Sequence, residues 1–141
     1  MSYHEFTRQI IEEFRANGGR VGGPFEGADL VLLTTTGARS GREHTVPLGC
    51  VRDGDRLLVV GSAGGAPRHP AWYHNVLAHP GVTVERGSEL FAARAVPAVG
   101  RERDRLFDLV VAAAPGYADY QRATTRTLPV VVLERAGAAP G

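Results

Sequence analysis

The chain has 141 residues, enough for one domain with a single sizeable core. Its 16 cationic side chains are all arginine, so lysine Schiff-base chemistry and a Walker-type phosphate loop are both excluded. The net charge of +1 supplies no global field to recruit nucleic acid, so no nucleic-acid partner is expected.

Tyr3 to Ala16 carries Phe6, Ile10 and Phe14 at i, i+4, i+8, the apolar stripe of an amphipathic helix, with Ser2 as its cap. Charges begin at Glu5 and recur along this helix, so it is not expected to act as a secretory signal. Glu12 and Glu13 limit it to weak association with an anionic membrane surface. Asn17-Gly18-Gly19 stops the helix, and the glycine-rich segment to Gly27 is a loop. Leu30 to Thr36 predicts a strand buried on both faces, and Gly37-Ala-Arg-Ser-Gly41 a turn. His44 to Val51 predicts a second strand, Asp53-Gly54-Asp55 a hairpin turn and Leu57 to Gly61 a third strand.

Ser62 to Pro70 is rich in glycine and proline and reads as loop. Pro70 suits the first turn of a helix that runs to Ala78. Val82 to Arg86 and Leu90 to Val96 predict two more strands around Gly87-Ser88. Arg101 to Ala114 has Leu106, Leu109, Val110 and Ala113 at helical spacing. A short helix is expected over Tyr117 to Ala123, and Leu128 to Leu133 is the last strand. About six antiparallel strands without βαβ alternation predict an α+β fold, a small antiparallel barrel with helices packed outside. Residues 1–17 form the N-terminal helix, 18–135 the barrel domain and 136–141 a flexible tail. With no apolar run of membrane-spanning length and no expected signal, a cytoplasmic location is expected.

Several familiar chemistries fail on spacing. In Gly37-Ala-Arg-Ser-Gly41 the serine is three residues after the first glycine, not the two of a nucleophile elbow. His69, His74 and His79 recur every five residues, a rotation of about 140° per step on a helix, so they do not share a face as metal ligands would. Cys50 is the only cysteine, which excludes an internal disulfide and a multi-thiolate metal site. No metal site is expected.

Three segments are more informative. Thr34-Thr-Thr-Gly-Ala-Arg-Ser-Gly-Arg42 combines backbone N–H groups, hydroxyls and guanidinium forks, which suit an anionic group; a solvated hairpin turn is the plainer reading. Between Arg56 and Val84 there is no acidic residue, while Arg68 and three histidines are present. That stretch leads to Trp72, which reads either as a contact for a flat ligand or as a core anchor under the barrel. Tyr117 and Tyr120 share a face of the last helix, as a pocket wall or as surface residues on the barrel rim.

In order, Thr-Thr-Thr-Gly-x-x-Ser-Gly41, Thr45-x-Pro47-Leu48, Gly-Gly-Ala-Pro-Arg-His-Pro-Ala-Trp-Tyr-His-Asn75, Pro115-Gly-Tyr-x-x-Tyr120 and Thr124-Thr-Arg-x-x-Pro-Val-Val-Val132 resemble the deazaflavin-dependent nitroreductase family of actinobacteria. The resemblance runs from the N-terminal helix to Glu134. It implies a split β-barrel of the FMN-binding split-barrel type. It also implies coenzyme F-420, an 8-hydroxy-5-deazaflavin whose phosphate and acidic tail make it anionic. By this resemblance Arg39, Ser40 and Gly41 hold the phosphate or tail, and His44, Thr45, Val46, Pro47 and Leu48 line the same groove. Gly61, Ser62 and Ala63 contact the ring, and Ala71, Trp72, Tyr73, His74 and Asn75 lie near the phosphate and ribityl chain. Tyr117 and Tyr120 face coenzyme and substrate as the catalytic pair.

The implied activity is hydride transfer from reduced F-420 to an electron-poor acceptor: a quinone, enone or nitroaromatic. An FMN-dependent split-barrel oxidoreductase and a non-catalytic coenzyme carrier are the alternatives, and pairing into a homodimer is compatible with the fold. The chain departs from the family at His44, where an arginine is common, and at Gly49, where some members carry an aromatic residue.

Overall fold

The alternation of inward and outward side chains in three strands organises the protein. In the computed structural model, which describes residues 2–25 and 29–136, the chain runs α1 (Tyr3–Ala16), β1 (Leu30–Thr36), β2 (Glu43–Gly49), β3 (Val51–Asp53), β4 (Arg56–Val60), α2 (Ala71–Ala78), β5 (Gly81–Arg86), β6 (Glu89–Pro97), α3 (Gly100–Ala113), α4 (Gly116–Arg122) and β7 (Val130–Arg135). Val31 and Leu33 of β1, Leu57 and Val59 of β4, and Val131 and Leu133 of β7 point into one core, joined by Val82, Val84, Ala93 and Ala95. The intervening residues point the other way. Leu30 and Leu32 meet Ile10 and Phe14 of α1, while Leu58, Val60, Val130 and Val132 meet Leu106 and Val110 of α3. The unbroken apolar runs of these strands follow from burial on both faces.

All strand pairs are antiparallel, in the order β2-β1-β5-β6-β7-β4-β3. Strands β2 and β3 occupy opposite edges of the sheet, yet Cys50 alone separates them in sequence. The Cys50 N–H donates to Asp29 O at 2.9 Å, extending the β1 ladder, and Val51 is already paired with Leu58 of β4. One bent run of chain therefore serves both edges, which curls the sheet into a split barrel. This corrects the single expected strand from His44 to Val51: the run changes partner at Cys50, and the described residues form seven strands where six are expected.

Ser2 caps α1 as expected, its Oγ accepting from the Glu5 N–H at 3.1 Å. Helices α1 and α3 lie outside the barrel, but α2 does not follow the expectation of helices outside. Its Trp72 and Val76 enter the barrel core, so it closes one end. Of the expected tail, residues 137–141 lie outside the described residues. No helix among the described residues is long and apolar enough to cross a membrane.

Candidate functional site

At the N-terminal end of α2 a groove of about 960 Å³ opens between the β1–β2 turn, the start of β2 and the first turn of α1. The expected residues Arg39, Ser40, His44, Thr45, Val46, Ala71, Trp72, His74 and Asn75 all line it. So do Thr35, Gly37, Ala38, Glu43 and Pro70, and His4 and Thr7 from α1. Sequence reasoning missed His4 and Thr7 because it weighed only the apolar residues of α1; these two stand three apart and border that stripe, seven residues before Ile11 and Phe14 respectively.

The β1–β2 turn is built from local hydrogen bonds. Gly37 N–H donates to Arg42 O at 2.7 Å, Gly41 N–H to Gly37 O at 3.0 Å, and Arg42 N–H to Ser40 Oγ at 3.1 Å. Gly41 has φ +70°, which closes the turn at no steric cost, and it does not line the groove. A Cβ at Gly37 would collide with Ser40 Oγ and press on His44 Nε2 at 3.0 Å, so this turn brings a hydroxyl and an imidazole together over bare backbone. The turn is tied to α2 by Asn75, which is buried; its Oδ1 accepts from the Ala38 N–H at 3.0 Å and its Nδ2 donates to Thr35 Oγ1 at 3.1 Å.

The groove's charge is of one sign apart from Glu43. Arg39 is exposed at its rim with His44 beside it. The cap of α2 is Pro70, which offers no side-chain acceptor, so the positive end of the helix faces the groove uncompensated. Neither Arg42 nor Arg68 lines the groove, which leaves Arg39 as its only guanidinium among the described residues. Trp72 is a core anchor, 6% exposed and packed in the barrel core, and it also forms part of the groove wall.

From this cradle β2 leads away. It is paired only to β1, so its other edge is free, and Pro47, which lacks an N–H, is tolerated there. Val46 and Leu48 pack on the barrel core, and neither Pro47 nor Leu48 lines the groove. From His44 to Gly49 the strand covers about 17 Å. At its far end a Cβ on Gly49 would stand 3.1 Å from Tyr117 Oη. The rings of Tyr117 and Tyr120 meet edge to face at 5.8 Å. Gly65 packs on Tyr120, where a Cβ would come 3.0 Å from the Tyr120 carbonyl oxygen. Thus Tyr117, Tyr120 and the loop holding Gly61, Ser62 and Ala63 form a second cluster. It is joined to the first through Pro70, whose Cδ a Cβ on Gly61 would approach at 3.5 Å. Tyr73 does not line the groove: its ring packs behind it, on those of His69 and His74 at 4.9 and 6.1 Å.

Burial raises the Tyr117 phenol above its ordinary value, with Tyr120 adding to the effect, so it is a protonated donor at neutral pH. Burial likewise pushes the Cys50 thiol up to about 12, which makes it inert as a nucleophile. Among the described residues the arrangement supplies no activated protein nucleophile. It offers an anion cradle, an extended free strand edge and an aromatic end with phenolic donors. Those features fit a long ligand with an anionic tail and a flat head.

The model of a family described as F420H(2)-dependent quinone reductase matches residues 6–135. The chain is similar to the F420H(2)-dependent quinone reductase Rv1261c of Mycobacterium tuberculosis (strain ATCC 25618 / H37Rv), 42% identical over 126 residues, covering 86% of this chain and 85% of that protein. It is similar to the solved structure of an F420-H2 dependent reductase, FDR-A, with 43% identity and a TM-score of 0.69 over 75% of this chain and 94% of that one. A structure described as a domain-swapped dimer is 38% identical with a TM-score of 0.72, covering 94% of this chain and all of that one (100%). By the family match over nearly its whole length, the chain belongs to the F420H(2)-dependent quinone reductase family.

Proposed function

We propose that the groove holds reduced coenzyme F-420 and that the protein uses it to reduce quinones. The observation that carries this reading is the free edge of β2, which joins the Gly37–Ser40 cradle at one end to Tyr117 at the other. When bound, the coenzyme supplies the hydride. This chain's residues bind and orient. Arg39, Ser40 and the N-terminal end of α2 take the phosphate and acidic tail, and His44 stands beside them in place of a second guanidinium. The loop from Gly61 to Ala63 takes the ring. Tyr117 and Tyr120 wall the acceptor, and the Tyr117 phenol, held protonated by burial, donates to the reduced oxygen. Of the acceptors expected from sequence, a quinone is the one in the family's name. In this reading α1 is part of the working domain, because His4 and Thr7 line the groove. The relative described as a domain-swapped dimer supports a homodimer, which sedimentation would register.

The test is anaerobic mixing of reduced F-420 with a naphthoquinone, following the returning visible absorbance of the oxidised coenzyme. A rate that requires the protein and saturates with quinone is expected. A rate equal to that without protein would overturn the reading. Parallel runs with an enone and a nitroaromatic rank the acceptors.

A further inference from the structure

Arg126 stands outside the groove, yet its side chain makes the densest set of hydrogen bonds near the aromatic end. It donates through Nη1 to Gly61 O at 3.0 Å, through Nη2 to Ser62 O at 2.8 Å and through Nε to Ala66 O at 2.8 Å. Nη1 also lies 2.9 Å from His69 Nδ1. Its own backbone is anchored: the Arg126 carbonyl accepts from Gln121 Nε2 of α4 at 2.8 Å. One residue therefore bolts the 61–66 loop to the helix that carries Tyr117 and Tyr120.

The geometry of the loop gives this bolt a chemical consequence. The described residues contain no cis peptide bond, so each N–H points opposite to the carbonyl of its own peptide unit. The Gly61 and Ser62 carbonyls point at Arg126, so the Ser62 and Ala63 N–H groups point away from it, and no described residue accepts from them. The loop holds an unfavourable shape to achieve this. Ala63, Gly64 and Gly65 have φ of +46°, +63° and +83°, and Ala63 is the only non-glycine residue at positive φ among the described residues. No carboxylate among the described residues pairs with Arg126, so its charge is not cancelled locally. A cation behind two aligned peptides, with their N–H groups forward, is the arrangement that stabilises negative charge on the far side.

We infer that Arg126 is a positioning residue that holds the Ser62 and Ala63 N–H groups outward as a two-donor cradle for negative charge on the coenzyme ring. This rests on the reading that the 61–63 loop contacts that ring, and it goes beyond that reading by naming what shapes the loop.

The test uses the full chain with Arg126→Gln, Arg126→Lys and Ser62→Pro. Ser62 has φ −76°, compatible with proline, so the last variant deletes one outward N–H without touching Arg126. Without coenzyme, amide exchange at Gly65 and Ala66, whose N–H groups donate within the loop to Ser62 O at 2.8 Å and Ala63 O at 3.1 Å, is expected to quicken at least tenfold in Arg126→Gln, with β1 and α3 amides unchanged. With oxidised F-420, Arg126→Gln and Ser62→Pro are each expected to weaken binding roughly tenfold and to shift the bound absorbance band. Arg126→Lys is expected to recover part of both. Unchanged exchange in a folded Arg126→Gln protein would overturn the inference whether or not the coenzyme binds. So would wild-type affinity and spectrum in both Arg126→Gln and Ser62→Pro. Failure of the functional reading looks different: wild-type protein would then leave the F-420 spectrum unmoved while the exchange result still decides the role of Arg126.

Discussion

Asn75 of α2 accepts the Ala38 N–H at 3.0 Å and donates to Thr35 Oγ1 at 3.1 Å, so one buried amide joins the helix that closes the barrel to the turn that builds the cradle. The side chain spends its hydrogen bonds on the loop, which makes it a positioning residue for Arg39 and Ser40. Asn75→Ala leaves the buried Thr35 hydroxyl without its donor and the Ala38 N–H, in the exposed turn, without its acceptor. A loss of about 1–3 kcal/mol in stability is expected, together with weaker coenzyme binding. Thermal denaturation and a spectroscopic titration of the same variant check both. Unchanged affinity in a destabilised protein would show that the turn keeps its shape without the amide.

Among the described residues Arg39 is the only guanidinium lining the groove, and the chain has no lysine to share its task. Arg39→Ala is expected to weaken F-420 binding roughly tenfold to a hundredfold, the range of one or two charge-assisted hydrogen bonds. Arg39→Lys keeps the charge but loses the planar fork, so an intermediate loss is expected. Wild-type affinity in the lysine variant would assign the grip to Ser40 and the backbone donors of α2.

The sequence pattern carried most of the fold. The helix Tyr3–Ala16 with its Ser2 cap and the strand Leu30–Thr36 appear with the expected bounds. Their periodicity and capping are local properties. The bend at Cys50 was not legible, because nothing in Leu48-Gly-Cys-Val51 records that the chain exchanges β1 for β4 there. The site divides in the same way. Arg39 and Ser40 are legible because a turn rich in donors advertises itself, whereas His44 enters only through the family resemblance. Arg126 was seen only as part of a motif, since its partners lie 57 to 65 residues away and a lone arginine in a polar segment carries no signal of that reach.

Tyr117 sits where β2 ends, its hydroxyl over bare Gly49 backbone, and burial keeps it protonated. Tyr117→Phe removes the donor and retains the ring. The expected result is a fall in kcat with quinone of roughly tenfold, with coenzyme affinity unchanged. Steady-state kinetics beside a binding titration separate the two quantities. A kcat equal to wild type would assign the proton to Tyr120 or to solvent.

His69 offers Nδ1 to the Arg126 guanidinium, and its pKa is lowered by burial first, then by Arg126 and His74. The native state therefore binds the His69 proton less readily than the unfolded chain does. The stability this provides is complete above the unfolded histidine value of about 6.5 and is lost as pH falls through the lower folded value. The same protonation opposes the Arg126 contact. The hydrogen-bonded loop amides of Gly65 and Ala66 are expected to exchange faster, relative to β1, as pH is lowered below about 6, after correction for intrinsic exchange. His69→Asn is expected to flatten that dependence. A loop whose protection is constant from neutral pH to about 5 would contradict this linkage.

Equilibrium titration of the full chain with oxidised F-420 and with FMN, side by side, decides whether this groove is built for an anionic deazaflavin. Saturable F-420 binding that weakens in Arg39→Ala while the thermal midpoint holds is expected, with FMN binding at least tenfold weaker. Tight FMN binding with no response to F-420 would contradict it.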